Sequence, residues 1–165
     1  MGKKAAPASR PASGAYSVAY SGTHLLDVNV LIALAWPLHV HHVQAHAWFE
    51  AVGQKSWATC PLTQLAFVRI SANPKIISAA VSPRAAVQTL SKMTALPGHV
   101  FWADDLDVNN LVSFTSNALV GHRQVTDAYL LELAKHHRGK VATLDAGLAE
   151  LLPLAERAGR LAAIR

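Results

Sequence analysis

The chain has 165 residues, 52% hydrophobic and 15% charged, a balance that fits one compact domain with a real core and excludes a disordered chain. Its formal charge of +5 permits a polyanionic partner without demanding one: Lys3, Lys4 and Arg10 lie in the first 22 residues, and the remainder carries 12 basic against 10 acidic side chains. No apolar run approaches the roughly 20 residues that span a bilayer, and the single Cys60 excludes an internal disulfide framework and agrees with a reducing cytoplasm.

Residues 1–22 are rich in Ala, Ser, Pro and Gly, lack Asp and Glu, and show no periodicity. They are expected to be a disordered leader or an added extension, with 23–165 as the folded domain. The stretch His24-Leu25-Leu26-Asp27 offers no polar face and reads as a buried strand. Asp27 falls at its carboxyl end, where a carboxylate is costly to bury without a cation or a hydrogen-bond partner. The plainer alternative is that Asp27 caps the helix that follows to Trp36. Pro37 breaks that helix, and a second is expected over 39–52 with Val40, Val43, Ala47 and Val52 near one face. His42 and His46 stand at i and i+4, a spacing that can ligate zinc on a helix. Neither a zincin glutamate nor a cysteine cluster accompanies them, so a solvated or half-buried helix face is the simpler reading.

The segment 56–60 is the next strand, and Cys60 in its apolar context WATCPL reads as a buried structural thiol. Pro61 opens a helix over 62–72 with Gln64 in its first turn, and Asn73-Pro74 ends it. Ser82-Pro83 opens another helix to Leu96, closed by Pro97-Gly98. Residues 99–102 form a third strand candidate, 107–112 a short helix, and 113–124 mostly loop. Thr126 is expected to cap an amphipathic helix through His137, which Arg138-Gly139 closes. A fourth strand over 140–144 ends in Asp145, residues 146–152 are helical, and 161–164 make a last edge strand. The four tryptophans, Trp36, Trp48, Trp57 and Trp102, read as core or dimer contacts, not as platforms for stacking bases.

Alternating strands and helices of this kind argue for an α/β domain whose parallel sheet is covered on both faces. Right-handed crossovers then put strand ends and the starts of the following helices along one common edge. Asp27 and Asp145 each end a strand there, and Gln64 and Asp127 each lie in the first turn of a helix that begins there. Three carboxylates and an amide converging from four segments would repel one another unless a divalent cation sat between them. Hard oxygen ligands select Mg²⁺ or Mn²⁺ over zinc.

Taken together, LLDVNVLIAL with Asp27 and Asn29, CPLTQLAFVRISANP, HRQVTDAYLLELA around Asp127 and VATLDAGL with Asp145 resemble the PIN-domain ribonucleases, in particular the VapC-type toxins of bacterial toxin–antitoxin pairs. The resemblance runs from about His24 to the C-terminus and is carried by the ordered set, above all Thr126-Asp127 and Thr143-x-Asp145. It implies a three-layer α/β/α PIN-like fold with a central, mainly parallel sheet. It further implies a metal-dependent endoribonuclease, usually a homodimer, acting on RNA and inhibited by a cognate antitoxin protein.

Carried over residue by residue, Asp27, Asp127 and Asp145 match three acidic positions of the family, and Asn29 and Thr126 match polar neighbours of the site. The remaining acidic position, usually Glu, is Gln64 here, which leaves open a catalytically weakened PIN-like RNA-binding or regulatory module. For phosphodiester hydrolysis, Asp27 and Asp145 are expected to touch the metal, with Asp127 completing the set or orienting the attacking water. Gln64 would add an amide oxygen, and Asn29 and Thr143 would orient the ligands. Arg69, Lys75 and Arg123 are candidates for RNA phosphate contacts, beside the equal alternative of an ordinary solvated surface.

Overall fold

A computed structural model of the chain describes residues 22–111, 119, 121, 122 and 124–165. The expected leader falls almost wholly outside these residues, as do Arg123 and most of the expected loop over 113–124. Five short strands, β1 (His24–Leu26), β2 (Trp57–Thr59), β3 (His99–Phe101), β4 (Lys140–Thr143) and β5 (Leu161–Ala163), form one sheet in the order β3-β2-β1-β4-β5. All four pairings are parallel, with His24 opposite both Trp57 and Lys140.

Alternation along the strands divides the apolar side chains between two faces. Leu25, Ala58 and Val141 pack into one cluster, while Leu26, Trp57 and Ala142 pack into the other. The first cluster is covered by α5 (Gln124–His136) and the 3-10 turn Ala146–Leu151, with α6 (Leu154–Arg160) packed on α5, β4 and β5. Against the second lie α1 (Val28–Ala35), α3 (Pro61–Ser71) and α4 (Pro83–Thr94), with α2 (His42–Ala51) packed on α1. The result is the three-layer α/β/α arrangement with an all-parallel sheet.

The chain steps outward from β1 through β2 to β3, then returns across the sheet to place β4 on the other side of β1. The strand order therefore reverses between β1 and β4, and open α/β sheets bind ligands in the crevice outside the carboxyl ends at such a switch. Asp27 follows β1 and Asp145 follows β4, so both fall at that crevice.

Several local expectations need correction. Thr126 does not cap α5, because the helix begins at Gln124, whose Oε1 accepts the Gly121 amide N–H at 3.0 Å and starts the turn earlier. Val40 and Val43 do not form a buried face: they are 87% and 81% exposed, and α2 buries Ala45 instead. Helix α6 has no counterpart among the elements expected from the sequence. Among the described residues, no helix is long and apolar enough to cross a membrane.

Candidate active site

Asp27 is buried, at 6% exposure, and stands at the N-cap position of α1, yet its side chain makes no cap hydrogen bond. Its Oδ2 instead accepts from Thr143 Oγ1 at 2.7 Å and from Asn29 Nδ2 at 2.6 Å. Helix capping therefore does not account for this carboxylate. Asn29 also donates to Thr143 Oγ1 at 2.9 Å, and its Oδ1 accepts the Leu144 amide at 3.1 Å. Thr143 Oγ1 in turn accepts the Asp145 amide at 3.0 Å. One small network thus locks the ends of β1 and β4 together and holds Asp27 in one orientation. Asp145 is exposed and N-caps the following 3-10 turn through Gly147 N–H at 2.7 Å, so its Oδ1 has a fixed direction.

Asp127 enters from the first turn of α5 and is half-buried. Burial, followed by the charges of Asp27 and Asp145, pushes its carboxyl up to about 6. Asp27 is raised as well, first by burial, against the lowering effect of the Thr143 hydrogen bond and with a further push from Asp145. The three groups thus feel one another's charge although they come from three separate segments. Every donor of this set is a hard oxygen, the chemistry a divalent cation would require, although the three carboxylates do not all lie within 4.8 Å of one another.

Gln64 lies in the first turn of α3, where its Nε2 donates to Thr59 Oγ1 at 2.8 Å. Thr59, the last residue of β2, is fully buried, and its Oγ1 lies 2.8 Å from His99 Nε2. Burial pushes the His99 imidazole down, which suits a neutral ring accepting the Thr59 hydroxyl proton. The amide nitrogen is thereby committed to Thr59. Sequence reasoning misses Thr59 and His99, because their tie to Gln64 exists only once β2 and β3 are paired; the strand-end position of Thr59 is the one available signal.

The family model of the PIN domain matches residues 24–151. The chain belongs to the PIN-domain family. Ribonuclease VapC39 of Mycobacterium tuberculosis is 44% identical over 128 residues, covering 78% of this chain and 92% of its own length. Ribonuclease VapC38 of the same organism is 47% identical over 124 residues, covering 75% of this chain and 86% of its own length. Among solved structures, PAE2754 from Pyrobaculum aerophilum superposes with a TM-score of 0.52 at 18% identity, covering 90% of each chain, and shares the fold.

Within this PIN domain the other candidates are distributed as follows. Arg69 and Lys75 are exposed, the first in the last turn of α3 and the second in the loop beyond it, whereas Arg123 lies outside the described residues. Thr126 is exposed in the first turn of α5 beside Asp127. The zinc spacing of His42 and His46 serves another purpose: His42 Nδ1 contacts the Ala33 carbonyl at 2.7 Å and His46 Nε2 that of Leu34 at 3.0 Å. Both imidazoles thereby satisfy carbonyls at the end of α1. Cys60 is fully buried and its thiol is pushed up by burial, as a structural thiol should be.

Proposed function

We propose that this PIN-domain protein is a Mg²⁺- or Mn²⁺-dependent endoribonuclease, the toxin of a toxin–antitoxin pair, acting in the cytoplasm as a homodimer. The observation that supports this reading is the convergence of Asp27, Asp127 and Asp145, with two of the three carboxyls raised by their common environment. The ribonuclease names of relatives at 44% and 47% identity give the reaction class.

In this reading Asp27 and Asp145 would hold the cation directly and Asp127 would complete the anionic set. Gln64, whose amide nitrogen is tied to Thr59, would contribute its amide oxygen. When bound, a divalent ion supplies Lewis acidity toward a phosphoryl oxygen and lowers the pKa of water. Asn29 and Thr143 keep Asp27 in the single orientation that such a site needs, and Thr126 stands beside Asp127. Arg69, Lys75 and Arg123 offer cations to the flanking RNA phosphates. Hydrolysis consumes one water per phosphodiester and leaves a phosphate monoester on one fragment and a hydroxyl on the other.

A partner protein also has surface to cover, because Leu38, Val40, Val43 and Ile76 are exposed by 60% or more. A second reading, a weakened RNA-binding or regulatory module, is favoured by Gln64 in place of the usual acid. RNA cleavage by the purified chain with and without EDTA, beside an Asp27→Asn control, separates the two. Cleavage abolished by EDTA and by the substitution supports the nuclease; RNA binding with no cleavage in Mg²⁺ or Mn²⁺ supports the module.

A further inference from the structure

A second cluster of metal-ligating side chains lies at the other end of α5. His136 ends the helix, His137 follows it, and both turn Nε2 toward Asp105 on the segment after β3. Asp105 Oδ1 is 3.3 Å from His137 Nε2 and 3.8 Å from His136 Nε2, and the three ligand atoms all lie within 4.8 Å of one another. A tetrahedral zinc with bonds of about 2.05 Å has ligand–ligand edges of about 3.3 Å, so the cluster is close to coordination geometry.

Adjacent residues in a continuing helix point about 100° apart and do not share a ligand. Here, at the helix end, both rings nonetheless reach one carboxylate, with their centroids 5.1 Å apart. The Gly139 amide bonds to Ala134 O at 2.7 Å and the Arg138 amide to Lys135 O at 3.0 Å, with Arg138 at φ 59°. His137 itself keeps the helical bond to Leu133 O at 3.0 Å, and the chain leaves the helix at Arg138. Trp102 then stacks on the His137 ring at 4.6 Å and 10°, fixing its plane. Gly139 makes room for Trp102, since a Cβ there would stand 2.5 Å from the indole. The negative end of the helix dipole adds attraction for a cation.

We propose that Asp105, His136 and His137 form a transition-metal site that takes Zn²⁺ through two imidazole nitrogens and one carboxylate oxygen, with water completing the shell. The site pins the segment after β3 to the end of α5. Nitrogen ligands select zinc over Mg²⁺ or Mn²⁺, so its ion differs from that of the carboxylate cluster. Asp127 and His136 are nine residues apart on one helix, about 14 Å, so the two clusters do not share an ion. The site is independent of the proposed ribonuclease reading, and either can fail alone.

The test is a Zn²⁺ titration of the EDTA-treated full chain, followed by calorimetry and by the ¹⁵N resonances of the histidine rings. The expected result is binding that shifts the Nε2 signals of His136 and His137. It should weaken by about tenfold or more in Asp105→Asn and His136→Gln, while Mn²⁺-supported RNA cleavage stays at the wild-type level. The ring signals of the unsubstituted chain report the site directly, so the test stands even where a variant folds poorly. Zn²⁺ that leaves both ring signals unmoved, or binds the variants as tightly as the parent, overturns the proposal.

Discussion

Asp127 carries the clearest electrostatic consequence of the site. Its carboxyl is pushed from 3.8 to about 6, mainly by burial and further by Asp27 and Asp145. A carboxyl raised in the native state is better protonated than ionised there. Its contribution to stability is therefore largest below about pH 4, shrinks as pH rises toward about 6, and stays lost above that. Because the group is only half-buried, solvent screening reduces the effect to the order of 1 kcal/mol. Asp127→Asn should accordingly raise the melting temperature of the metal-free protein by about 2–4 °C at neutral pH, with the gain vanishing near pH 4. No gain at neutral pH would mean that neither burial nor the neighbouring carboxylates raise Asp127 in the folded protein. Gln64 supports a second prediction at this scale. Replacing an amide with a carboxylate adds one negative charge to the cluster, so Gln64→Glu should move the Mg²⁺ activation midpoint several-fold lower with little change in fold. An unmoved midpoint would place Gln64 outside the metal shell. Asp105 is no substitute acid in that event, since it is engaged by His136 and His137 at the far end of α5.

Elements show what is legible in the sequence and what is not. The strands that lead into Asp27 and Asp145 can be read directly, because a short apolar run followed by a carboxylate fits little else in an α/β pattern. The first-turn position of Asp127 is legible too, although its helix starts at Gln124 and not at Thr126. Helix α2 misleads because the valines of an exposed face and a buried face look alike; only the packing of α2 on α1 shows Ala45 inside and Val43 outside. Helix α6, LAERAGR, is short, contains a glycine, and draws its stability from tertiary contacts. Its Arg160, 3% exposed, donates to the Leu131 carbonyl at 2.7 Å and to Glu132 at 2.8 Å, and also pairs with Glu156 at 3.3 Å. This clip fastens α6, and with it edge strand β5, to α5. Arg160→Ala should cost about 3 kcal/mol in urea unfolding, because Glu132 and the Leu131 carbonyl are left without it in a buried setting. A loss below about 0.5 kcal/mol, the size of a surface pair, would show that the clip contributes nothing.

At the scale of the whole molecule, one reversal of strand order makes the proposed site. The crossover that carries the chain from β3 back to β4 brings Asp145 beside Asp27, and its helix α5 delivers Asp127 to the same edge. No single segment holds the chemistry, and so the carboxylates should fail together. Expression of the chain alone should arrest growth, while Asp27→Asn, expressed and folded to the same level, should not; unchanged growth with the folded parent chain would contradict the toxin reading. The most direct measurement is the single-turnover rate of RNA cleavage in Mn²⁺ by the parent chain and by Asp145→Asn, with folding of both verified by circular dichroism. A fall of at least about a hundredfold is expected in the variant, with the parent rate abolished by EDTA. Near-parental cleavage by Asp145→Asn, or cleavage indifferent to EDTA, would contradict it.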